Sequence, residues 1–130
     1  MSAVLDLVSE INSYLKDGLE MSDIYTGQRA PQDSSGAYVV MWIVLGDRDY
    51  THIGASALID ITLQIEVYDE KWADTMSLAG SIENLLSGFS GSMGDEIISN
   101  IRLVSDDGDL YEKDKKLYSV VHQYEIQFYQ

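Results

Sequence analysis

The sequence predicts an α+β two-layer sandwich, with a mainly antiparallel sheet of four to five strands and two helices on one face. Residues 57–68 alternate between apolar odd positions and polar even positions, which is typical of a long strand with one buried face. Residues 117–129 alternate in the same way, with apolar and aromatic side chains at the even positions. Residues 3–16 repeat apolar side chains at steps of three and four, which predicts an amphipathic helix.

The first half of the chain holds one helix and two strands. The helix at 3–16 is expected to stop at Gly18, because glycine is common just past a helix end. A short extended segment at 23–27 follows. Residues 37–45, AYVVMWIVL, are apolar on both faces, which predicts a central strand covered on both sides, or on one side by a neighbouring subunit. Loops are expected at 28–36 and 46–56.

The second helix is predicted at 70–87, with Asp69 as its N-cap and Gly88 just past its end. Gly80 lies inside this helix, and a close approach of helix to sheet would explain a glycine there. The predicted buried stripe consists of Trp72, Met76, Ala79, Ile82, Leu86 and Phe89.

Two more strands are predicted to close a single domain over 1–130. Residues 89–96 are rich in turn formers. A strand at 97–104 would place Ile97, Ile101 and Leu103 on one side, and 105–116 would be a charged excursion. The last strand at 117–129 would bury the face that carries His122. Both pairs of long strands should be antiparallel, and the sheet face away from the helices should be more polar.

Composition excludes several classes of protein. The 130 residues carry 22 acidic and eight basic side chains, a net charge of −14, which argues against direct binding to duplex nucleic acid. There is no cysteine, so disulfides and thiolate zinc sites are excluded, and an intracellular or virion setting is natural. No apolar run approaches the ~18 residues of a membrane span, and the first residues do not resemble a secretion signal.

The residues do not form a recognisable catalytic or metal site, so we expect no enzyme activity, cofactor or metal. His122 is expected to be a core or interface histidine. His52 lies near Asp47 and Asp49, where a solvated loop is far commoner than a metal or acid–base site. Three acids surround a glycine, but their spacing does not fit a calcium loop, and an acidic hairpin tip is the simpler interpretation. These acids are Asp106, Asp107 and Asp109.

Four segments of the chain form a recognisable series through their order and spacing. A strand ending in Val67-Tyr68 runs into a helix with small residues, and Leu110-Tyr111 precedes Leu117-Tyr118 at the start of the last strand. The segments are IYTGQRAPQ at 24–32, AYVVMWIV at 37–44, LQIEVYDEKWADTMSLAGSIENLL at 63–86 and NIRLVSDDGDLYEKDKKLYSVVHQYEIQFY at 100–129. Together they cover about four-fifths of the chain and resemble the tail-completion, or tail-terminator, proteins of long-tailed bacteriophages.

The resemblance implies a structural role. Such proteins form a ring, typically of six subunits, at the head-proximal end of the tail tube, where they stop polymerisation and meet the head connector. The implied partners are other copies of the chain, the tail-tube protein and the head connector or head-closure protein. Genomic DNA would pass through the lumen without specific binding, and no membrane is involved. The implied location is the neck of the virion tail, after assembly in the host bacterial cytoplasm.

Residue properties agree with association. The nine tyrosines suit subunit interfaces, although strand propensity explains them equally well. The net charge suits a lumen that repels DNA phosphates. We hypothesise that the loops at 46–56 and 105–116 contact the tube or the connector. The predicted interface residues are Tyr38, Met41, Trp42, Asp47, Arg48, Asp49, Tyr50, His52, Asp106, Asp107, Asp109 and Tyr111.

Other functions remain open at this point. A different neck or tail-tube component of the same particle would share a small α+β fold and ring assembly. An acidic mimic of DNA, which blocks a host nuclease or repressor, would need carboxylates spaced like phosphates, and here they are scattered. An enzyme or an unassigned binding module are the remaining classes.

Overall fold

A computed structural model describes residues 3–27, 36–44, 50–53, 56–112 and 116–129. The two helices lie on one face of a single sheet, as predicted, and share one hydrophobic core with it. Within the described residues, no helix is long and apolar enough to cross a membrane. The elements are α1 (Ala3–Leu19), β1 (Ile24–Thr26), β2 (Tyr38–Val44), β3 (Tyr50–Ile53), β4 (Ser56–Asp69), α2 (Trp72–Leu86), β5 (Gly91–Met93), β6 (Glu96–Glu112) and β7 (Leu117–Tyr129).

The sheet contains seven strands among the described residues, in the order β1-β2-β4-β7-β6-β5, with β3 also paired to β4. The prediction of four to five strands was therefore too low. The two strands that it missed, β3 and β5, are only four and three residues long and lie in segments interpreted as loop and turn. The sheet is mainly antiparallel, as predicted, and only β1 and β2 pair in parallel among these strands.

Strands β4 and β7 form the centre of the sheet, with paired residues running from Leu58↔Tyr129 to Asp69↔Tyr118. The apolar odd positions of β4 and the even positions of β7 point to the same face, because directly paired residues share a face. Leu63 and Tyr124 pair there, and both are fully buried. Helices α1 and α2 cover this face.

Strands β2 and β3 follow one another along the same edge of β4. β2 pairs with residues 62–68 of β4, and β3 pairs with residues 56–59. The other edge of β4 is occupied by β7, so β2 and β3 act as two halves of one interrupted strand. The predicted loop at 46–56 was thus wrong for Tyr50–Ile53, which forms the end of a hairpin.

Strand β6 is longer than predicted because the supposed charged excursion is partly strand. It extends to Glu112 and pairs with β7 through three irregularities, at 98/100, 103/105 and 107/109. Each bulge inserts one residue and reverses the alternation of side chains. The bulge between Ile98 and Asn100 therefore puts buried Ile98 on the side of Ile101 and leaves Ile97, which is 55% exposed, on the other side, contrary to the prediction that Ile97 shares a side with Ile101.

Helix α1 runs past the predicted stop. Gly18 lies inside the helix, and Glu20, with a φ of 54°, adopts the left-handed conformation just past its end. Gly18 instead permits close packing, because a Cβ at this position would lie 2.8 Å from Cδ1 of Leu85 in α2.

Helix α2 differs from its prediction at both its start and its buried face. Its N-cap is Lys71, while Asp69 accepts a hydrogen bond from the backbone N–H of Glu70 at 2.7 Å. Trp72 and Met76 are 48% and 38% exposed instead of buried. The buried stripe is Thr75, Ala79, Ile82 and Leu86. Gly88, with a φ of 80°, lies just past the helix as predicted.

Gly80 is not explained by a close approach to the sheet, because no atom lies within 4 Å of a Cβ built there. We therefore expect Gly80→Ala to stabilise the protein by about 1 kcal/mol, through the higher helix propensity of alanine. Thermal unfolding should show a midpoint higher by roughly 3–5 °C.

Gly18→Ala is the matched control, because the same gain in propensity is opposed by the displacement of Leu85. Its midpoint should rise less than that of Gly80→Ala. A Gly80→Ala protein that unfolds at a lower temperature would contradict the placement of α2.

Candidate interaction surfaces

The sheet face turned away from the helices, here called the open face, carries an ordered polar network. Glu66 accepts hydrogen bonds from the Tyr68 hydroxyl at 2.6 Å and from the Gln64 amide at 2.9 Å. Gln123 of β7 donates to the Oε1 atom of Gln64 at 3.2 Å. Arg102 of β6 forms a 2.9 Å ion pair with Glu125. These bonds hold polar side chains, half-buried except for the exposed Arg102, in place across three strands.

An aromatic cluster occupies one end of the open face. Tyr38, Val40 and Leu117 are buried there, and the rings of Tyr38 and Tyr68 stack with their centroids 4.7 Å apart. Tyr25 and Trp42 pack against the cluster. The second apolar face of β2, which the sequence assigned in part to a neighbouring subunit, is therefore largely covered by the chain itself.

An apolar row crosses the opposite end of the open face. Leu58 pairs with Tyr129, and Tyr129 pairs with Ile97, so the three side chains share this face on adjacent strands. Tyr129 is 43% exposed and Ile97 is 55% exposed. The bulge after Ile98 turns Ile97 to this side, which the alternation of the sequence alone did not reveal.

A buried polar group lies on the helix side, between β6 and β7. Nε2 of His122 is 3.2 Å from Oδ1 of Asp106, and Nδ1 is 3.3 Å from the Tyr124 hydroxyl. Burial raises the pKa of Tyr124, and the carboxylates of Glu83 and Asp106 raise it further. His122 is 6% exposed, so it lies in the core, one of the two settings, core or interface, that were predicted for it.

Four carboxylates gather where α1 meets the turn between β5 and β6. Burial raises the pKa of Glu96 above its ordinary value near 4.5, and Asp6, Glu10 and Asp95 raise it further by charge repulsion. Gly94, with a φ of 60°, lies directly against the Glu10 carboxylate. Among the residues with a described position, no group of three or more His, Asp or Glu side chains is placed to hold a metal ion.

A groove of about 710 Å³ opens between the C-terminal turn of α1, one flank of α2 and the residue that precedes β2. Its floor is apolar and its rim carries Asp23, Asp69 and Asp74. The sequence alone suggested only an N-cap role for Asp69. The sequence gives little indication of the groove, because its lining residues, from Gly18 to Leu85, lie up to 67 residues apart along the chain.

The predicted interface residues are divided among several places. Met41 is fully buried beneath the helices, and Tyr38 is buried in the aromatic cluster. Trp42 is half-buried on the open face, while Asp106 and Tyr111 are exposed on β6 rather than on a loop. The remaining predictions fall wholly or partly outside the description: Asp47, Arg48 and Asp49 entirely, and the side chains of Tyr50, His52, Asp107 and Asp109, whose backbones lie in β3 and β6.

Comparisons with known proteins identify the fold but not a family. No protein-family model matches the chain, and no curated protein matches it. A solved structure is similar over the full length of both chains, with a TM-score of 0.69 and 13% sequence identity. That structure is described as the virion of a native gene transfer agent particle. At this identity, the likeness shows a shared fold.

Tyr38→Ala tests whether the chain covers its own open-face cluster. We expect a loss of about 3 kcal/mol in the free energy of unfolding, because a buried aromatic ring is removed. Ile43→Ala, at a 38% exposed position of the same strand, should cost about 1 kcal/mol or less. Urea unfolding of dilute protein measures both. Equal losses would indicate that Tyr38 depends on a partner for its burial.

Glu96→Gln tests the carboxylate group. A raised pKa in the folded state means that the stabilising contribution of protonated Glu96 is present below its unfolded pKa and is lost as the pH rises through the folded value. The glutamine variant should therefore be more stable than the parent at pH 7 and equal to it at pH 3. Thermal unfolding at both pH values measures the difference.

Glu70→Gln is the control for the loss of one negative charge, since Glu70 is exposed in the turn before α2. It should give no comparable gain at pH 7. Equal gains from both variants would mean that net charge, rather than the group around Glu96, sets the effect.

Proposed function

We propose that this chain is a structural protein of a phage-like virion, and specifically a tail-terminator protein. In this role it forms a ring of six copies at the head-proximal end of the tail tube. The observation that carries the proposal is the likeness, over the whole of both chains, to a chain of a gene transfer agent virion. The order and spacing of the four sequence segments supply the narrower assignment to tail completion.

The surfaces of the chain support assembly. Leu58, Tyr129 and Ile97 form an apolar row, and Trp72 and Met76 are exposed one turn apart on α2. Exposed apolar side chains in contiguous groups are typical of protein–protein contacts. We propose that the partners are further copies, the tail-tube protein and the head connector, and that the chain acts through shape and association without catalysis.

The acidity supports passage of DNA. On the open face, Asp60, Glu66 and Glu125 outnumber Arg102 among the residues placed there, and the net charge of the chain is −14. Carboxylates repel phosphates, so DNA would move past such a subunit without binding it. The proposed location is the neck of the tail, reached after assembly in the host cytoplasm.

A neighbouring neck or tail-tube component is the second candidate. The similar structure is described only as a whole virion particle and not as one of its components, so the fold likeness favours both candidates equally. Their assembly behaviour separates them, since a terminator remains a short ring and a tube protein forms long cylinders.

Mass measurement and electron microscopy, with and without purified tail tubes, test the proposal. We expect a species of six 14.5 kDa chains, or about 87 kDa, and a single ring capping one end of each tube. Long cylinders would indicate that the chain is a tail-tube protein and not a terminator. Tubes without any bound ring would overturn the proposed function.

A further inference from the structure

One end of the open face carries apolar side chains next to a carboxylate. Leu58, Tyr129 and Ile97 form the apolar row, in which Tyr129 and Ile97 are 43% and 55% exposed. Asp60 follows Leu58 by two residues in β4, so it lies on the same face, roughly 7 Å further along the strand. These four residues, here called the row surface, offer an apolar strip beside one negative charge.

The Asp60 carboxylate is not compensated within its own chain. Its Oδ1 atom is buried and accepts no hydrogen bond among the described residues, where Asp60 also takes part in no ion pair. The side chain as a whole is half-buried, so the carboxylate remains within reach from the open face. Because burial deprives a carboxylate of its contacts with water, a cation from outside stabilises it more than it would stabilise an exposed carboxylate.

The start of α2 has the complementary chemistry. Lys71 is exposed and has no ion-pair partner in the part of the chain that the structure describes. Trp72 and Met76 follow it, one helical turn apart, and are 48% and 38% exposed. These three residues, here called the α2 surface, place a positive charge beside an aromatic ring and a thioether, which are side chains typical of protein–protein contacts.

The two surfaces lie far apart in one copy. Leu58 and Asp69 are eleven residues apart in β4, a length of roughly 36 Å along the strand, and Lys71 follows two residues after Asp69. The row surface is also on the open face, whereas α2 packs on the helix face. A contact between the row surface and the α2 surface therefore joins two different copies.

We propose that the row surface of one copy binds the α2 surface of the next copy. Trp72 and Met76 pack on the apolar row, and the Lys71 ammonium lies against the Asp60 carboxylate. Each copy supplies one surface of each kind, so every apolar group meets an apolar group and the charges are opposite.

Such a contact is heterologous, because two different surfaces of the same chain meet. Its repetition gives a closed ring if the rotation between copies closes, and an open filament if it does not. This inference rests on the proposed function, which requires the closed ring, and names the contact that would build it.

Cross-linking tests the contact directly, because the chain contains no cysteine and each variant therefore has a single thiol. Met76→Cys protein is mixed with isotope-labelled Ile97→Cys protein at high concentration and treated with a short bis-maleimide linker. The control mixture pairs Met76→Cys with labelled Ser81→Cys, an exposed position on the groove flank of α2. We expect about tenfold more mixed dimer from the Ile97 mixture, because the contact raises the effective concentration of the two thiols.

Charge substitution provides the second test. Lys71→Glu should weaken self-association, measured by sedimentation, by about tenfold, because it brings two carboxylates together. Lys16→Glu is the matched control, since Lys16 is exposed on α1 and its substitution changes the net charge equally. It should weaken association by less than about twofold. Adding Asp60→Lys to Lys71→Glu should restore association to within about threefold of the parent.

A third test does not depend on the half-buried Asp60. Ile97→Asp and Val104→Asp each put a carboxylate at an exposed apolar position of β6. Only Ile97→Asp should weaken association by about tenfold, because Val104 is outside the row surface. Thermal unfolding of each variant shows that the fold is kept. Equal cross-linking yields in the two mixtures would overturn the contact, and so would equal effects within either pair of single variants.

The two proposals fail in different ways. If the chain forms six-membered rings on tail tubes but the cross-linking yields are equal, the contact is wrong and the proposed function stands. If the Ile97 mixture cross-links selectively and the tubes remain uncapped, the contact stands and the proposed function is wrong.

Discussion

The antiparallel pairing of β4 with β7 is the constraint on which the rest of the structure depends. Along these strands, pairs such as Ile61↔Ile126 and Ile59↔Phe128 place large apolar side chains side by side on the helix face. A slip of one residue would send each of them to the open face. The burial of this face fixes the register, and the register in turn fixes where β2, β6 and both helices can pack.

Much of this arrangement follows from the sequence, because β4, β7 and α1 keep one periodicity from end to end. Prediction failed where the backbone changes that periodicity, as at the β6 bulge between Ile98 and Asn100, which puts buried Ile98 instead of exposed Ile97 on the face of Ile101. It failed in α2 for a different reason. Thr75 can be buried because its hydroxyl is satisfied by donating to the Lys71 carbonyl at 2.8 Å, while the larger Trp72 is exposed. A prediction based on side-chain hydrophobicity alone buries Trp72 and exposes Thr75.

The candidate surfaces were harder to predict than the fold. The groove needs the end of α1 and one flank of α2 to lie side by side, and no local pattern encodes that proximity.

The polar group around the buried His122 could not be predicted from local sequence either. Bulges on both sides of Asp106 allow its carboxylate to reach Nε2 of His122. A carboxylate only accepts, so Nε2 of His122 is the donor to Asp106, and Nδ1 lies within hydrogen-bond distance of the Tyr124 hydroxyl. Asp106 and Tyr124 thus provide hydrogen-bond partners for both ring nitrogens of a histidine whose burial would otherwise be costly.

The charge of the chain restricts how copies can meet. Each copy carries −14, and the resulting repulsion extends over about 8 Å at physiological salt, so contacts between acidic surfaces are opposed before they form. A stable seam must bring the scarce cations against carboxylates. Arg102 already forms an ion pair with Glu125 on the open face of the same chain. Lys113, Lys115 and Lys116 are the densest group of cations in the sequence. Their use at a seam would leave the open face with its excess of carboxylates, the property that a surface facing DNA requires.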